Sequence, residues 1–380
     1  MARTDTPLRI GIFGLRGLAP DREITGFETA FAEIAPRLIA RGHSVTIYCR
    51  SGAHSPANRP STLNGVTLRY MPSPGGKNFS ALISTLLAVL HALAMRPFDV
   101  WLFVNVGMGH HCALARLSGR AVVMNVDGLD WTRGKWGPLA RAYFRSAARS
   151  AVRFCTKLIT DAVAMQEFYR KEFHRDSEMI AYGAAIEDSR EPERLAAYGV
   201  TPRSYYLIVS RLIPENSLEP MLEGFIRSAT TRELLVVGGA NYEDAFHQRL
   251  HALARRDVRI RMLGQITNQD ALRELWCNAY AYLHGHSVGG TNPALLRAMG
   301  YGRCVLALDT VFNREVLAGT GRFFTDSAGL LAIVNELDSA PETVTTLGAR
   351  ARDRVRKFYD WEDIADRYES VLRAACLAVA

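Results

Sequence analysis

Short apolar runs recur along the first half of the chain, each bounded by glycine or polar residues. They are LRIGIF (8–13), SVTIYC (44–49), GVTLRY (65–70), VWLFVN (100–105), AVVMNV (121–126) and KLIT (157–160). Near-continuous apolar runs of this length predict strands buried on both faces. Helical sequence lies between them, as from Gly26 to Arg41, so the alternation predicts βαβ units and a parallel sheet. A polar, charged stretch from Gly183 to Ser204 interrupts the pattern. A second alternation follows in YYLIVS (205–210), ELLVVGG (233–239), VRIRML (258–263), AYAYLH (279–284) and CVLALD (304–309). The tail from Thr343 to Ala380 reads as helical, with a break around Tyr359-Asp360-Trp361.

The pattern predicts an α/β protein of two Rossmann-like domains, and 380 residues suit two domains better than one. The expected boundaries are 1–188 for an acceptor-side domain and 189–360 for a nucleotide-binding domain. Residues 361–380 are expected to form a helix returning to the first domain. In folds of this kind ligands lie beyond the carboxyl ends of the strands. The glycine-bearing loops Gly14–Gly26 and Gly285–Gly290 both follow such an end and are expected to face each other across a cleft.

Composition narrows the class. With 48% hydrophobic and 22% charged residues the chain is that of a soluble globular protein. Its six cysteines (Cys49, Cys112, Cys155, Cys277, Cys304, Cys376) show no metal-ligand spacing and read as reduced core thiols of a cytosolic protein. The N-terminus has no signal-peptide apolar region. A net charge of +8 favours an acidic partner. No nucleic-acid motif accompanies it, so nucleic acid is not expected. The uncharged stretch Phe79–Met95 falls short of the ~20 residues of a span and predicts a buried helix.

Residues 281–302, AYLHGHSVGGTNPALLRAMGYG, carry the strongest chemical signal. A strand ends in a loop bearing His284 and His286, then two glycines, then a helix opened by Thr291-Asn292-Pro293. Asn is a preferred N-cap, and Pro fits the first helical position. The free N–H groups of the first turn, with the helix dipole, attract anions. Gly289 and Gly290 let phosphates approach the backbone. In SRLIPEN (210–216), Arg211 stands at a strand's carboxyl end, where a guanidinium can fork onto a diphosphate. A structural ion pair is the alternative there. The first loop, GIFGLRGLAP, has the spacing Gly11, Gly14, Gly17, but Gly11 lies in the strand and Cys49-Arg50 stand where a dinucleotide site needs an acid. Arg16 in this loop is placed to reach an anion. NVDGLDWTRGKWG (125–137) sets Asp127 just after a strand, with Trp131 and Trp136 as candidates for a sugar or lipid-head surface or for loop anchors. Finally Arg141, Arg145, Arg149, Arg153 and Lys157 recur every four residues, a slanted basic ridge of ~160° if helical.

The chain resembles the GT-B retaining glycosyltransferases of family 4 and, within them, bacterial rhamnosyltransferases of capsule and O-antigen synthesis. Residues 14–51, NVDGLDWTRGKWG, IAYGA (180–184), SRLIPEN and HGHSVGGTNPALLRAMG carry the resemblance across both domains. It implies a nucleotide-diphospho-sugar co-substrate, dTDP-L-rhamnose, held mainly by the second domain, with no metal and no further cofactor. Arg211 would neutralise the diphosphate and Asp127 would sit beside sugar and acceptor, the two catalytic candidates. Donor-side candidates are Arg16, Gly17, Asn216, His284, His286, Gly289, Gly290, Thr291, Asn292 and Arg297. The acceptor implied is a lipid-linked glycan reached at the cytoplasmic face of an anionic membrane, through Trp131, Trp136, Arg145, Arg149 and Arg153. The sequence departs from the family at three places. The family's two glutamates, with seven residues between them, are Gly289, as in the rhamnosyltransferase branch, and Arg297. Asn216 replaces a basic residue, and the first loop lacks a Tyr-Gly-Gly before Phe27. An arginine cannot accept the ribose protons that the second glutamate takes. A transferase for another nucleotide sugar and a non-catalytic glycan- or partner-binding relative therefore stand as alternatives.

Overall fold

The computed structural model describes residues 6–18, 26–53, 55, 57, 59–126, 128–132, 136–239 and 245–379. The chain forms two compact units, Met1–Tyr182 with Trp361–Ala380, and Gly183–Asp360. The break after Tyr182 comes earlier than residue 188, because 183–188 are already tied into the second unit. The Ala184 N–H donates to the Tyr359 carbonyl, and Asp188 pairs with Arg352 at 2.6 Å.

Eight strands build the first sheet: β1 (Arg9–Phe13), β2 (Ser44–Arg50), β3 (Thr62–Leu63), β4 (Val66–Met71), β5 (Val100–Val104), β6 (Ala121–Asn125), β7 (Lys157–Thr160) and β8 (Glu178–Met179). Their order is β3-β4-β2-β1-β5-β6-β7-β8, parallel except for the β3–β4 hairpin. That hairpin turns on Asn64 and Gly65, both at positive φ, as a two-residue turn matching strand twist requires. The apolar runs predicted the long strands. They missed β3 and β8, whose two residues leave no run to see.

Phe13 centres the core of this unit. Its ring stacks on Tyr48, Trp101 and Phe103 at centroid distances of 4.9, 5.0 and 5.0 Å. A Cβ on Gly11 would lie 2.6 Å from the Phe98 ring, so that glycine serves strand packing and not a dinucleotide loop. Right-handed crossovers put helices Gly76–Met95, Gly109–Ala115 and Pro138–Phe154 on one face of the sheet. Helices Phe27–Ala40 and Trp361–Leu377 cover the other. Helix Gly76–Met95 is not the buried helix expected. Ala88, Val89 and Ala92 face the sheet, while Phe79, Leu86 and Leu90 are exposed. No helix among the described residues is long and apolar enough to cross a membrane.

The second sheet is wholly parallel: β9 (Tyr205–Val209), β10 (Glu233–Val237), β11 (Ile260–Gly264), β12 (Ala281–His284), β13 (Cys304–Leu308) and β14 (Arg322–Phe324), in the order β11-β10-β9-β12-β13-β14. Val258, read as strand from its apolar side chain, precedes β11 and is almost fully exposed. Between β9 and β12 the strand order reverses. This is the place where doubly wound sheets open a crevice at their carboxyl ends.

Trp361–Leu377 returns to the first unit through a buried polar cluster. The Leu8 N–H donates to His43 Nδ1 at 3.0 Å, which leaves His43 Nε2 to donate to Glu369 at 3.2 Å. Arg373 adds a bond to the same carboxylate at 2.8 Å. Burial works to raise the Glu369 pKa, but the bonds from Arg373 and His43 outweigh it and hold the carboxyl below its ordinary range. A depressed carboxylate stabilises the fold above its unfolded pKa and loses that contribution as pH falls through the folded value. Glu369→Gln is accordingly expected to cost about 3 kcal/mol at pH 7 and to lessen the loss of stability below about pH 4.5. Thermal unfolding across pH 3–7 measures both, and an unchanged pH slope refutes the assignment.

Candidate functional site

Two loops leave the carboxyl ends of β9 and β12 side by side. The first runs through Ser210 and Arg211 into a turn at Pro214–Asn216 and then helix Leu218–Ile226. The second runs from Gly285 to Asn292 into helix Pro293–Gly300. Ser287 joins them, donating its N–H (3.0 Å) and hydroxyl (2.8 Å) to the Glu215 carbonyl. Gly285 lies so close beneath that a Cβ there would sit 2.2 Å from the Asn216 carbonyl. Asn313 fastens the loop from the far side, donating to the carbonyls of His286 (3.1 Å) and Leu308 (2.8 Å).

The helix opening follows the capping logic of its sequence. Asn292 is extended and its side-chain oxygen accepts from the Ala294 N–H at 2.9 Å, with Pro293 at the first helical position. Gly289 has φ of 110°, a backbone conformation that suits glycine, and open space where a Cβ would be. The half-buried glycines and Asn292 thus present backbone to solvent beside the helix N-terminus. Arg211 is exposed at the end of β9.

The two histidines fill the floor. His284 is fully buried and His286 half-buried, and their rings stack at 4.4 Å with 13° between planes. Tyr282 donates its hydroxyl to the Val209 carbonyl at 3.2 Å, so its oxygen is left to accept from His284 Nδ1 at 3.4 Å. This places the His284 proton on Nδ1, and the buried Nε2 has no hydrogen-bond partner among the described residues. Burial, with His286 adding to it, pushes the His284 pKa well below the ordinary value. Burial and the nearby Arg211 guanidinium push His286 down to about 4. Both rings are neutral at pH 7, and the Arg211 guanidinium carries the local positive charge.

Several expected contacts change role. His284 is wholly buried, so it supports the His286 ring and does not itself touch a donor. Asn216 is also buried, with Nδ2 donating to the Arg211 carbonyl at 2.8 Å. It shapes the arginine's loop instead of contacting a ligand. Thr291 is buried under the helix start. Trp131 is not a surface residue: it packs in the core on Phe168 and Phe173. Trp136 is half-buried against Phe144 at 5.2 Å. Arg16 and Gly17 belong to the first unit, in the loop after β1. Asp127 lies outside the described residues. Arg141, Arg145, Arg149 and Arg153 are all exposed on helix Pro138–Phe154, whereas Lys157 belongs to β7 and pairs with Glu178.

Arg297 is half-buried and lines a cavity of about 160 Å³ with Glu187, Asp270, Arg273, Trp276 and Tyr301. Arg273 in that cavity is held by Asp270 (2.8 Å) and Glu274 (3.3 Å), while Arg297 has no carboxylate partner among the described residues. The cavity wall formed by Gln269–Asn278 gives no chemical pattern in the sequence, so only the fold reveals it.

Comparison with known proteins agrees with this architecture. Residues 25–182 match the glycosyl transferase 4-like domain, and residues 219–370 a glycosyl transferase-like domain. No curated protein matches in sequence. Among solved structures, HepE of Anabaena in complex with UDP is 16% identical, over 97% of this chain and 100% of its own, with a TM-score of 0.77. Sucrose-phosphate synthase of Thermosynechococcus elongatus is 16% identical over 98% and 100%, with a TM-score of 0.81. A glycosyltransferase of Rickettsia africae is 12% identical over 97% and 98%, with a TM-score of 0.74. The chain therefore carries a glycosyl transferase 4-like domain followed by a second glycosyl transferase-like domain, and its fold is that of the GT-B glycosyltransferases.

The junction of the two loops sets a test. Gly285→Ala forces a methyl against the Asn216 carbonyl and is expected to cost about 2–4 kcal/mol of stability. Gly289→Ala, where a Cβ meets nothing, is expected to cost only the backbone strain of about 1–2 kcal/mol. Chemical denaturation of both variants checks the order, and equal losses refute it.

Proposed function

We propose that the chain is a retaining, metal-independent glycosyltransferase whose second unit holds a nucleotide-diphospho-sugar at the β9/β12 crevice. The observation that carries this reading is the joining of the Arg211 loop to the Gly289–Asn292 loop by Ser287 and Glu215. Together they hold the Arg211 backbone beside the N-terminus of helix Pro293–Gly300. HepE binds UDP and, in a further structure, UDP-glucose, which supports a nucleoside diphosphate as the carrier. For the sugar we propose L-rhamnose from a dTDP donor, on the family resemblance of the loop sequences with Gly289 at the first glutamate position.

In the reaction the anomeric C–O bond to the diphosphate breaks as the acceptor hydroxyl attacks from the same face. The acceptor's proton passes to the departing diphosphate oxygen. Charge grows on the diphosphate as it leaves, and preorganised donors aimed at that charge lower the barrier. Arg211 and the backbone N–H groups of Gly289, Gly290 and Asn292 are those donors. His286, neutral at pH 7, shapes the floor without competing for the anion. Asp127 is proposed beside the sugar and acceptor.

Arg211→Ala is expected to lose about 3 kcal/mol of transition-state stabilisation, roughly a hundredfold in kcat. Activity is expected to survive EDTA. Donor hydrolysis and transfer, assayed over a panel of nucleotide sugars, test both points. Full activity in Arg211→Ala or abolition by chelation overturns the mechanism.

The acceptor is proposed to be a lipid-linked glycan, met by peripheral attachment to the cytoplasmic face of the membrane. The support is one face of the first sheet. Arg141, Arg145, Arg149 and Arg153 are exposed on helix Pro138–Phe154, which contains no acidic residue. Helix Gly76–Met95 on that same face exposes Phe79, Leu86 and Leu90, aligned at helical spacing. Each arginine near an anionic surface contributes about 1 kcal/mol. Changing Arg145, Arg149 and Arg153 to Ser is expected to weaken flotation with anionic vesicles about a hundredfold. Equal binding to neutral vesicles, or no loss in the triple variant, overturns the attachment.

A further inference from the structure

Among the described residues of the first unit, no acid forms an ion pair with Arg50. Strands β1 and β2 run parallel with Ile10 opposite Val45 and Ile12 opposite Ile47, so the residues after them emerge at one edge of the sheet. Arg50 closes β2, and its N–H donates to the carbonyl of Arg16, beyond β1, at 2.9 Å. The Arg50 side chain is half-buried, and its Nε is fully enclosed with no hydrogen-bond partner. No carboxylate forms an ion pair with it among the described residues. The acid nearest in its electrostatics, Glu28, instead accepts the Arg16 N–H at 2.9 Å. Burial and the like charge of Arg16 both lower the Arg50 pKa.

Taking an unpaired guanidinium partly out of water is costly, and a fold has no structural reason to keep one there. Gly14, Leu15, Tyr48, Ser84 and Thr85 line the recess around it. Tyr48 is committed to His91, hydrogen-bonded at 2.9 Å, so no side chain of the recess offers a negative charge. The position is the carboxyl edge of a parallel sheet, where ligands of this fold class lie. A complementary anion would turn the electrostatic cost into binding energy.

We propose that Arg50, with Arg16 beside it, forms an anion subsite of the first unit that takes the phosphate-bearing end of the acceptor. This rests on the reading above of a lipid-linked acceptor, and it assigns that acceptor's phosphate to residues outside the donor cradle. A planar fork recognises phosphate by two parallel bonds, so lysine is not an equivalent.

Thermal stability of the full chain with farnesyl diphosphate, a soluble prenyl diphosphate, and separately with dTDP tests the assignment. Wild type is expected to be stabilised by both. Arg50→Gln is expected to bind farnesyl diphosphate at least about tenfold more weakly, to keep its dTDP stabilisation, and to melt no lower than wild type without ligand, since an unpaired buried charge has gone. Arg50→Met, which keeps the apolar stem, is expected to behave likewise, and Arg50→Lys to retain part of the binding. Three results overturn the proposal: unchanged farnesyl diphosphate binding in Arg50→Gln, an equal loss of dTDP binding, or a lower ligand-free Tm in both Arg50→Gln and Arg50→Met. Failure of the donor reading shows instead in the dTDP arm, where wild type itself gains nothing.

Discussion

The chemistry of the second unit depends on one pairing. Strand β9 lies parallel beside β12, with Tyr206 opposite Ala281 and Leu207 opposite Tyr282. The chain winds outward in opposite directions from this pair, so no helix crosses between their carboxyl ends. Arg211 and the Gly289–Asn292 loop are neighbours for that reason, although some eighty positions apart in the chain. The register also explains the demand for small residues. Gly285 must pass under the Asn216 carbonyl, and only a residue without Cβ fits at that separation.

The polar groups beneath the crevice divide the work between shape and charge. Asn216, Asn313 and Ser287 spend their donors on backbone carbonyls and so fix the loops before any ligand arrives. His284 and His286 fill space as neutral rings, since burial disfavours their protonation. A charged imidazolium beside Arg211 would repel it and blur its position. Keeping the floor neutral leaves the Arg211 guanidinium as the positive charge beside the loop. In electrostatic catalysis, donors already in place need little reorganisation in the transition state.

The long strands were legible because each is an apolar run buried on both faces, and the loop chemistry because Gly, Asn and Pro have positional meanings. Asn292 caps its helix as its type predicts. What was illegible depended on burial. Trp131 in a basic loop looks like a surface aromatic, yet Phe168 and Phe173, from a later helix, enclose it. His284 and Asn216 occupy the right loops but face inward, a distinction of a few ångströms that residue type does not encode. The Asn64-Gly65 hairpin carried its signal openly, but the strands it joins are too short for a period to emerge. Arg50 was visible only as the residue that disqualified a dinucleotide site.

The positive charge of the chain sorts into two populations. Many arginines are matched inside the fold: Arg9 with Asp99, Arg41 with Glu362 and Asp366, Arg259 with Asp257, Arg352 with Asp188, Arg373 with Glu369. These orient helices and strand ends, and their net electrostatic cost is small because each charge meets its opposite. A second group, with Arg50 at the carboxyl end of β2, Arg297 in its cavity and the four exposed arginines of helix Pro138–Phe154, lacks an acidic partner among the described residues. The surplus of +8 therefore does not serve folding, which would favour neutralising it. On the functions proposed above, a prenyl phosphate at Arg50 and an anionic bilayer at helix Pro138–Phe154 would each supply negative charge that the described residues do not.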